Sequence, residues 1–392
     1  MTFWHTPPTR PRGLATLGEV AAVFLKLGTT AFGGPAAHIG FMRDEVVRRR
    51  RWLSEEEFLD LVGAAQLIPG PNSTELAIHL GYRCAGWMGL LVAGLGFIVP
   101  ASLIVTGLAW MYVEYGSTPQ LRWLLYGLSP VIVAIIAHAA GGLTARYARR
   151  LPLMACWLGV LLLALAGVGE LLLVGATGAL CAAASLARRH GAGISTGVAL
   201  GLAVLGGSAH AVAAGSVPIP VTLERLWWFF LKVGSVLFGS GYVLVAFLRA
   251  DLVERWGWLS DQQLLDAVAI GQITPGPLLT TASFIGFVLG SWTGAAVATT
   301  AIFLPSFVFV ALTHQLIPRM RTSAVLGALL DGVTVASLAL MAAVATRLAP
   351  HAIVDGTTAT VALASMAVLC TARLSPTWLV AAGALAGFVF HP

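Results

Sequence analysis

The chain has 392 residues, 58% of them hydrophobic and only 10% charged, with a mean hydropathy of +0.86. Chains that fold in water carry roughly 25% charged residues, so a soluble globular fold is excluded. Apolar runs of about twenty residues, rather than alternating ten-residue segments, favour membrane helices over a lipid-facing barrel. The net charge of +6 and pI near 9.5 do not indicate nucleic acid, because the basic residues form short clusters between apolar runs, as topology signals do.

In chain order, residues 1–13 read as a polar cytoplasmic tail that stays attached, since no small-residue cleavage site follows. An apolar arm from Phe24 to Phe32 carries Lys26 and is interrupted by Gly33, Gly34 and Pro35; His38, Arg43, Asp44 and Glu45 follow. A second segment starts at Ser54 with Glu57 three residues on, the spacing of a capping box, and breaks at Pro69, Gly70 and Pro71 after Gln66. Asn72, Ser73, Thr74, Glu75 and His79 come next. Full spans are expected at about 87–113, 121–145, 151–168, 170–187 and 193–215. Further spans are expected at about 292–317, 323–347, 353–372 and 376–391.

The stretch 24–79 returns at 230–285 with a constant offset of 206, and 21 of the 56 positions are identical. FLKLG becomes FLKVG, and Gln66, Pro69, Gly70, Pro71 and Thr74 become Gln272, Pro275, Gly276, Pro277 and Thr280. After one deletion Trp87, Gly89 and Pro100 pair with Trp292, Gly294 and Pro305. The chain therefore divides into a first repeat over 14–215 and a second over 218–392. Five spans in the first copy invert the second. With the N-terminus in the cytoplasm and the C-terminus outside, fifteen of the 23 Lys and Arg residues fall inside, four outside and four within the repeated cores. The expected fold is an all-α polytopic membrane protein of two inverted-topology repeats, each with two broken-helix, re-entrant hairpins plus full transmembrane helices. Secondary transporters share this architecture.

Broken helices leave backbone N–H groups unpaired, which membranes tolerate only inside protein or beside a hydrated cavity. Proline suits the first turn of each restarted helix, and the open N–H groups with the positive dipole end form an anion site. Gly33, Gly34, Pro35, Gly70, Pro71, Asn72, Ser73 and Thr74 in the first copy are candidate substrate contacts. Gly276, Pro277, Thr280 and Thr281 are their candidates in the second, where Ser283 adds a further hydroxyl. Lys26 and Lys232, the only lysines, sit at equivalent positions; each either serves the substrate or snorkels to an interface. Arg43 and Arg249 either contact ligand or form salt bridges to Asp44, Glu45 or Asp251. Gln66 and Gln272 either bond between helices or touch the ligand.

Some polar residues break the repeat. Glu75 and His79 share a helix face and face Thr281 and Ile285 in the second copy; His38 and Asp331 likewise lack counterparts. These four are candidate proton carriers, with Glu75 capping its helix or pairing with Arg83 as the structural alternative. Cys84, Cys156, Cys181 and Cys370 show no paired spacing. No nucleotide, metal or cofactor motif is present, so transport must run on an ion gradient or downhill.

FLKLGTTAFGGPAAHIGFM, the run RRWLSEEEFLDLVGAAQLIPGPNSTELAIHLGYRCAGWMG, and the second-copy segments FFLKVGSVLFGSGYVLVAFL and AVAIGQITPGPLLTTASFIGF together resemble the chromate ion transporter (CHR) family in its long, two-domain form. The resemblance runs from residue 14 onward. It implies proton-driven export of chromate across the bacterial inner membrane, with sulfate as the close chemical relative; the alternatives are a carrier of sulfate or another oxyanion, an importer included, and an anion channel. Partners are then chromate, sulfate, protons and the bilayer, with a homodimer left open; neither a cofactor nor catalysis is implied. The family's motif positions fall on Lys26, Gly33, Gly34, Pro35, His38, Arg43, Gln66, Pro69, Gly70, Pro71 and Asn72. The second copy departs from them at Ser240, Gly241 and Leu278.

Overall fold

The structure is a computed structural model that describes residues 15–116, 118–189, 220–238, 241–313, 323–371 and 376–390. The tail 1–13, the span expected at 193–215, Ser240, and the basic positions Arg319, Arg321 and Arg373 lie outside the described residues.

The described residues form helices and no strand. In chain order they are α1 (Leu17–Thr30), α2 (Gly34–Arg43), α3 (Glu55–Ala65), α4 (Ser73–Tyr115), α5 (Pro119–Thr144), α6 (Leu151–Leu165) and α7 (Glu170–Arg189). There follow α8 (Leu223–Val236), α9 (Leu244–Leu248), α10 (Asp261–Ile273), α11 (Thr281–Thr313), α12 (Ala324–Ala352), α13 (Gly356–Thr371) and α14 (Pro376–Phe390). Five helical stretches are long and apolar enough to cross a membrane, at Ser73–Tyr115, Arg122–Thr144, Glu170–Arg188, Leu278–Thr313 and Ala324–Ala352. Three shorter apolar helices accompany them, at Leu151–Leu165, Gly356–Thr371 and Pro376–Phe390.

Local chemistry fixes the helix starts. Thr16 and Ser54 form reciprocal capping boxes with Glu19 and Glu57, and Ser260 and Gln263 exchange the same pair of bonds at α10. Each box satisfies donors that a helix start leaves open. A wide π turn at Asp44–Arg49 continues α2, and another at Arg249–Arg255 continues α9.

The two longest helices are bent back on themselves. In α4 the bend is at Ala85 and Gly86, and in α11 at Gly290 and Ser291. A Cβ on Gly81 would fall 2.2 Å from the carbonyl of Gly89, and one on Gly286 would fall 2.4 Å from that of Gly294. Only bare backbones fit there, so each bend is a tight hairpin of a short arm (73–84, 281–289) and a long arm (87–115, 292–313). The same small-residue logic lets α1 cross the long arm of α4 at Gly28 and lets α8 cross that of α11 at Gly234.

The chain forms two compact units. The first comprises Met1–Glu114, Thr222–Gly241 and Ile270–Pro318; the second comprises Tyr115–Val221, Tyr242–Ala269 and Arg319–Pro392. Each unit draws on both sequence-related halves of the chain. In the second unit α5 meets α14 at Gly127, Gly383 and Gly387, and α7 meets α12 at Gly178 and Gly332.

Candidate functional site

The first unit gathers both PGP breaks. Gly33 and Gly34 both have positive φ, 106° and 79°, which glycine adopts without strain, and they turn α1 into α2. Beyond them His38 is buried, edge-on to Phe97. Its Nε2 lies 3.1 Å from the carbonyl of Ala31. A carbonyl only accepts, so Nε2 carries the proton; Nδ1 is buried without a hydrogen-bond partner among the described residues.

The breaks are tied to the opposite copies of the first arm. The Gly70 N–H donates to the Leu237 carbonyl at 2.7 Å, and the Gly276 N–H donates to the Ala31 carbonyl at 2.9 Å. Gly70 and Gly276 correspond under the repeat, as do Ala31 and Leu237, so the exchange is reciprocal. These two amides, expected to face an anion, are already bonded.

Other expected donors are spent as well. Ser73 donates its hydroxyl to Pro71, Thr280 to Pro277 and Thr281 to Leu278, in each case to a backbone carbonyl. The short reach of a hydroxyl to its own turn outcompetes a more distant acceptor. Ser283 lies 2.6 Å from the Thr299 hydroxyl. Proline placement differs from expectation too. Pro35 is in the first turn of α2, but Pro71 precedes Asn72, whose φ is 53° and whose carbonyl accepts the first helical bond, from Leu76. Pro277 likewise precedes the short turn Leu278–Thr280.

What the first break holds is Glu75. The residue is fully buried and its Oε1 accepts the Ser306 hydroxyl at 2.5 Å. A Cβ on Gly70 would fall 1.8 Å from that Oε1, so the carboxyl lies in the hollow that glycine leaves. Thr74 Oγ1 and Glu75 Oε2 are buried without hydrogen-bond partners among the described residues. The Arg83 alternative is overturned: Arg83 donates to Glu57 Oε1 at 2.7 Å. At the second break the matching positions are Thr281 and Ala101, and the methyl of Ala101 lies 2.4 Å from where a Gly276 Cβ would be. His79, one turn beyond Glu75, is also buried.

Lys26 donates to Glu45 Oε1 at 2.5 Å and keeps 53% of its side chain exposed. The ammonium holds the Glu45 carboxyl below the usual carboxylate range, aided by Arg49 and Arg50. Lys232 lies over the Phe229 ring at 5.3 Å. Gln66 is exposed and Gln272 buried. Arg43 pairs with Glu55 at 2.7 Å, not with Asp44 or Glu45. The wide turn at 44–49 instead directs those two acids to Lys26, Arg48, Arg49 and Arg50.

Two candidates belong to the second unit. Arg249 is bonded to Asp261 at 2.8 Å and to Glu254, which also binds Arg347; Asp251 pairs with Arg255. Asp331 pairs with Arg150 at 2.7 Å and is 37% exposed, a half-exposed ion pair rather than a stranded acid. Sequence reasoning missed Ser306. Its signal is present, because Ser306 matches Ala101 just as Glu75 matches Thr281, and these two departures from the repeat meet in the fold.

A family model described as Chromate transporter matches residues 18–185 and 225–388. The chain is 33% identical over 400 aligned positions to the chromate transport protein of Cupriavidus metallidurans, covering 99% of this chain and 95% of that one. It is also 33% identical to a probable chromate transport protein of Synechococcus elongatus, covering 83% of each chain. A third relative, the chromate transport protein of Pseudomonas aeruginosa, is 33% identical over 84% of this chain and 80% of its own. No solved structure matches. With both sequence-related stretches inside the match, and relatives aligned over 80–95% of their lengths, the chain belongs to the chromate transporter family.

Proposed function

We propose that this protein exports chromate from the bacterial cytoplasm across the inner membrane by alternating access, with protons moving inward in exchange. The observation that carries the reading is the family match over 18–185 and 225–388, with relatives of the same extent that are named chromate transport proteins. The fold supports it. Helices broken inside an apolar chain are tolerated beside a hydrated cavity or within protein, and the reciprocal Gly70–Leu237 and Gly276–Ala31 bonds suit two copies of opposite orientation. In that arrangement the copies are residues 14–215 and 218–392, and the N-terminus is cytoplasmic.

Export has an electrical drive. Moving one charge across the membrane is worth about 2.3 kcal/mol per 100 mV, so a dianion leaving a negative interior gains about twice that. An inward proton adds to the drive, and Glu75 carries it. Lys26 and Lys232 supply positive charge for the dianion. A charged hydrogen bond is worth roughly 1.5–3 kcal/mol, so Lys26→Ala and Lys232→Ala should each slow chromate uptake into everted membrane vesicles by about ten- to hundredfold, with the protein still folded in the membrane. Full activity in both variants would sink the role given to the lysines.

A further inference from the structure

The Glu75 carboxyl sits where an oxyanion would sit at the first PGP break. Glu75 is the third residue of the short arm 73–84, a position from which a glutamate reaches back to the open amides of the first turn. Ser306 donates its hydroxyl to the carboxyl at 2.5 Å. The carboxyl fills the hollow at Gly70, and beside it the fully buried Thr74 hydroxyl has no hydrogen-bond partner among the described residues. Backbone amides, hydroxyls and a positive dipole end are the partners that a tetrahedral oxyanion requires.

The same burial dictates the charge state. Removing an ionised carboxylate from water costs several kcal/mol unless a cation accompanies it, and Glu75 makes no ion pair among the described residues. The other titratable or charged groups here are His79 one turn along the same arm, Arg83 paired with Glu57 of α3, and His38 of α2 bonded to Ala31. From α11 the facing group is the neutral Ser306 hydroxyl. A seat without a cation suits a neutral acid better than a carboxylate.

We infer that Glu75 is a tethered competitor of the transported oxyanion: protonated, it fills the anion seat between the first PGP break and Ser306, and the arriving oxyanion displaces it. This rests on the functional reading above and deepens it. Once displaced into water the carboxyl ionises, its O–H bond breaks and the proton passes to the solvent. The oxyanion takes over the Ser306 and Thr74 hydroxyls and the first-turn amides. When the oxyanion leaves on the far side, Glu75 is reprotonated there and refills the seat. Each cycle then exchanges one oxyanion for one proton.

The test is chromate binding to the purified full chain, followed calorimetrically in buffers of different ionisation enthalpy at mildly acid and mildly alkaline pH. Proton release is read as the difference between wild type and Glu75→Ala, so that titration of chromate itself cancels. The expected result is about one extra proton released per chromate by wild type, whose affinity rises with pH by up to about tenfold per unit relative to the variant. Glu75→Ala, with the seat vacated, should bind at least about tenfold more tightly than wild type at acid pH, as removal of a competitor requires. Glu75→Gln, close in shape, covers the case in which the alanine variant does not fold. It should bind without the extra proton. Loss of binding in a folded Glu75→Ala, or equal proton release in wild type and both variants, would overturn the inference while leaving chromate as the ligand. Absence of chromate binding in all three proteins would overturn the functional reading, and the inference with it.

Discussion

Gly70 and Gly276 stand at the same place in the two related stretches yet face different chemistry. At φ 141° and 90° respectively, any side chain is strained, and a Cβ would strike the Glu75 carboxyl in one case and the Ala101 methyl in the other. Gly70→Ala should therefore unseat Glu75, and chromate transport should become insensitive to an imposed pH gradient. Gly276→Ala should lower stability by about 1–3 kcal/mol, the usual cost of overpacking, yet keep its response to pH. Transport and thermal unfolding of both variants in proteoliposomes separate these outcomes. Lys26 and Glu45 give a second prediction. The Glu45 carboxyl is held low by Lys26, so the stability it confers is present above the unfolded carboxylate pKa and disappears as pH falls through the lower folded value. Lys26→Ala should move the acid-unfolding midpoint to higher pH; an unchanged midpoint would show that the pair adds nothing to stability. Glu75 was legible as a departure from the repeat, and Ser306, which sequence reasoning missed, departs from it too. Their meeting was not legible, because 231 positions separate them and only tertiary packing brings them together. The arginine partners were misread for a related reason: π turns rotate Arg43 and Arg249 away from the acids adjacent in sequence.

At the level of elements, the signals that proved readable were those with a local cause. Ser54 with Glu57 starts a helix where its spacing places it, and Ser54→Ala should cost about 1 kcal/mol of stability through the lost cap. A thermal melt compared with wild type measures it. Apolar spans among the described residues were legible because lipid demands length and continuity; the stretch expected at 121–145 is helix Pro119–Thr144, and that at 376–391 is Pro376–Phe390. The hairpin bends at Ala85–Gly86 and Gly290–Ser291 were less so, since a run of small residues also fits a straight helix. A Cβ on Gly86 meets open space whereas one on Gly81 strikes the Gly89 carbonyl. Gly81→Ala should therefore lower the melting temperature more than Gly86→Ala, although Gly86 is the residue with the positive φ of 63°.

For the whole molecule, duplication in sequence and compactness in space divide the chain differently. The sequence predicts copies over 14–215 and 218–392, while each compact unit collects segments from both stretches. The reciprocal bonds from the two PGP glycines show how this arises within the first unit: each break docks on the other copy's arm. A duplicated chain that exchanges such contacts can keep a symmetric scaffold and still place one acid, Glu75, at only one of two equivalent seats. The most direct test of exchange is chromate flux in proteoliposomes with the membrane potential clamped by a potassium ionophore and only a pH gradient imposed. Chromate should accumulate against its own gradient, opposite to the flow of protons. Chromate flux that ignores the imposed pH gradient, or runs in the same direction as the protons, would contradict exchange.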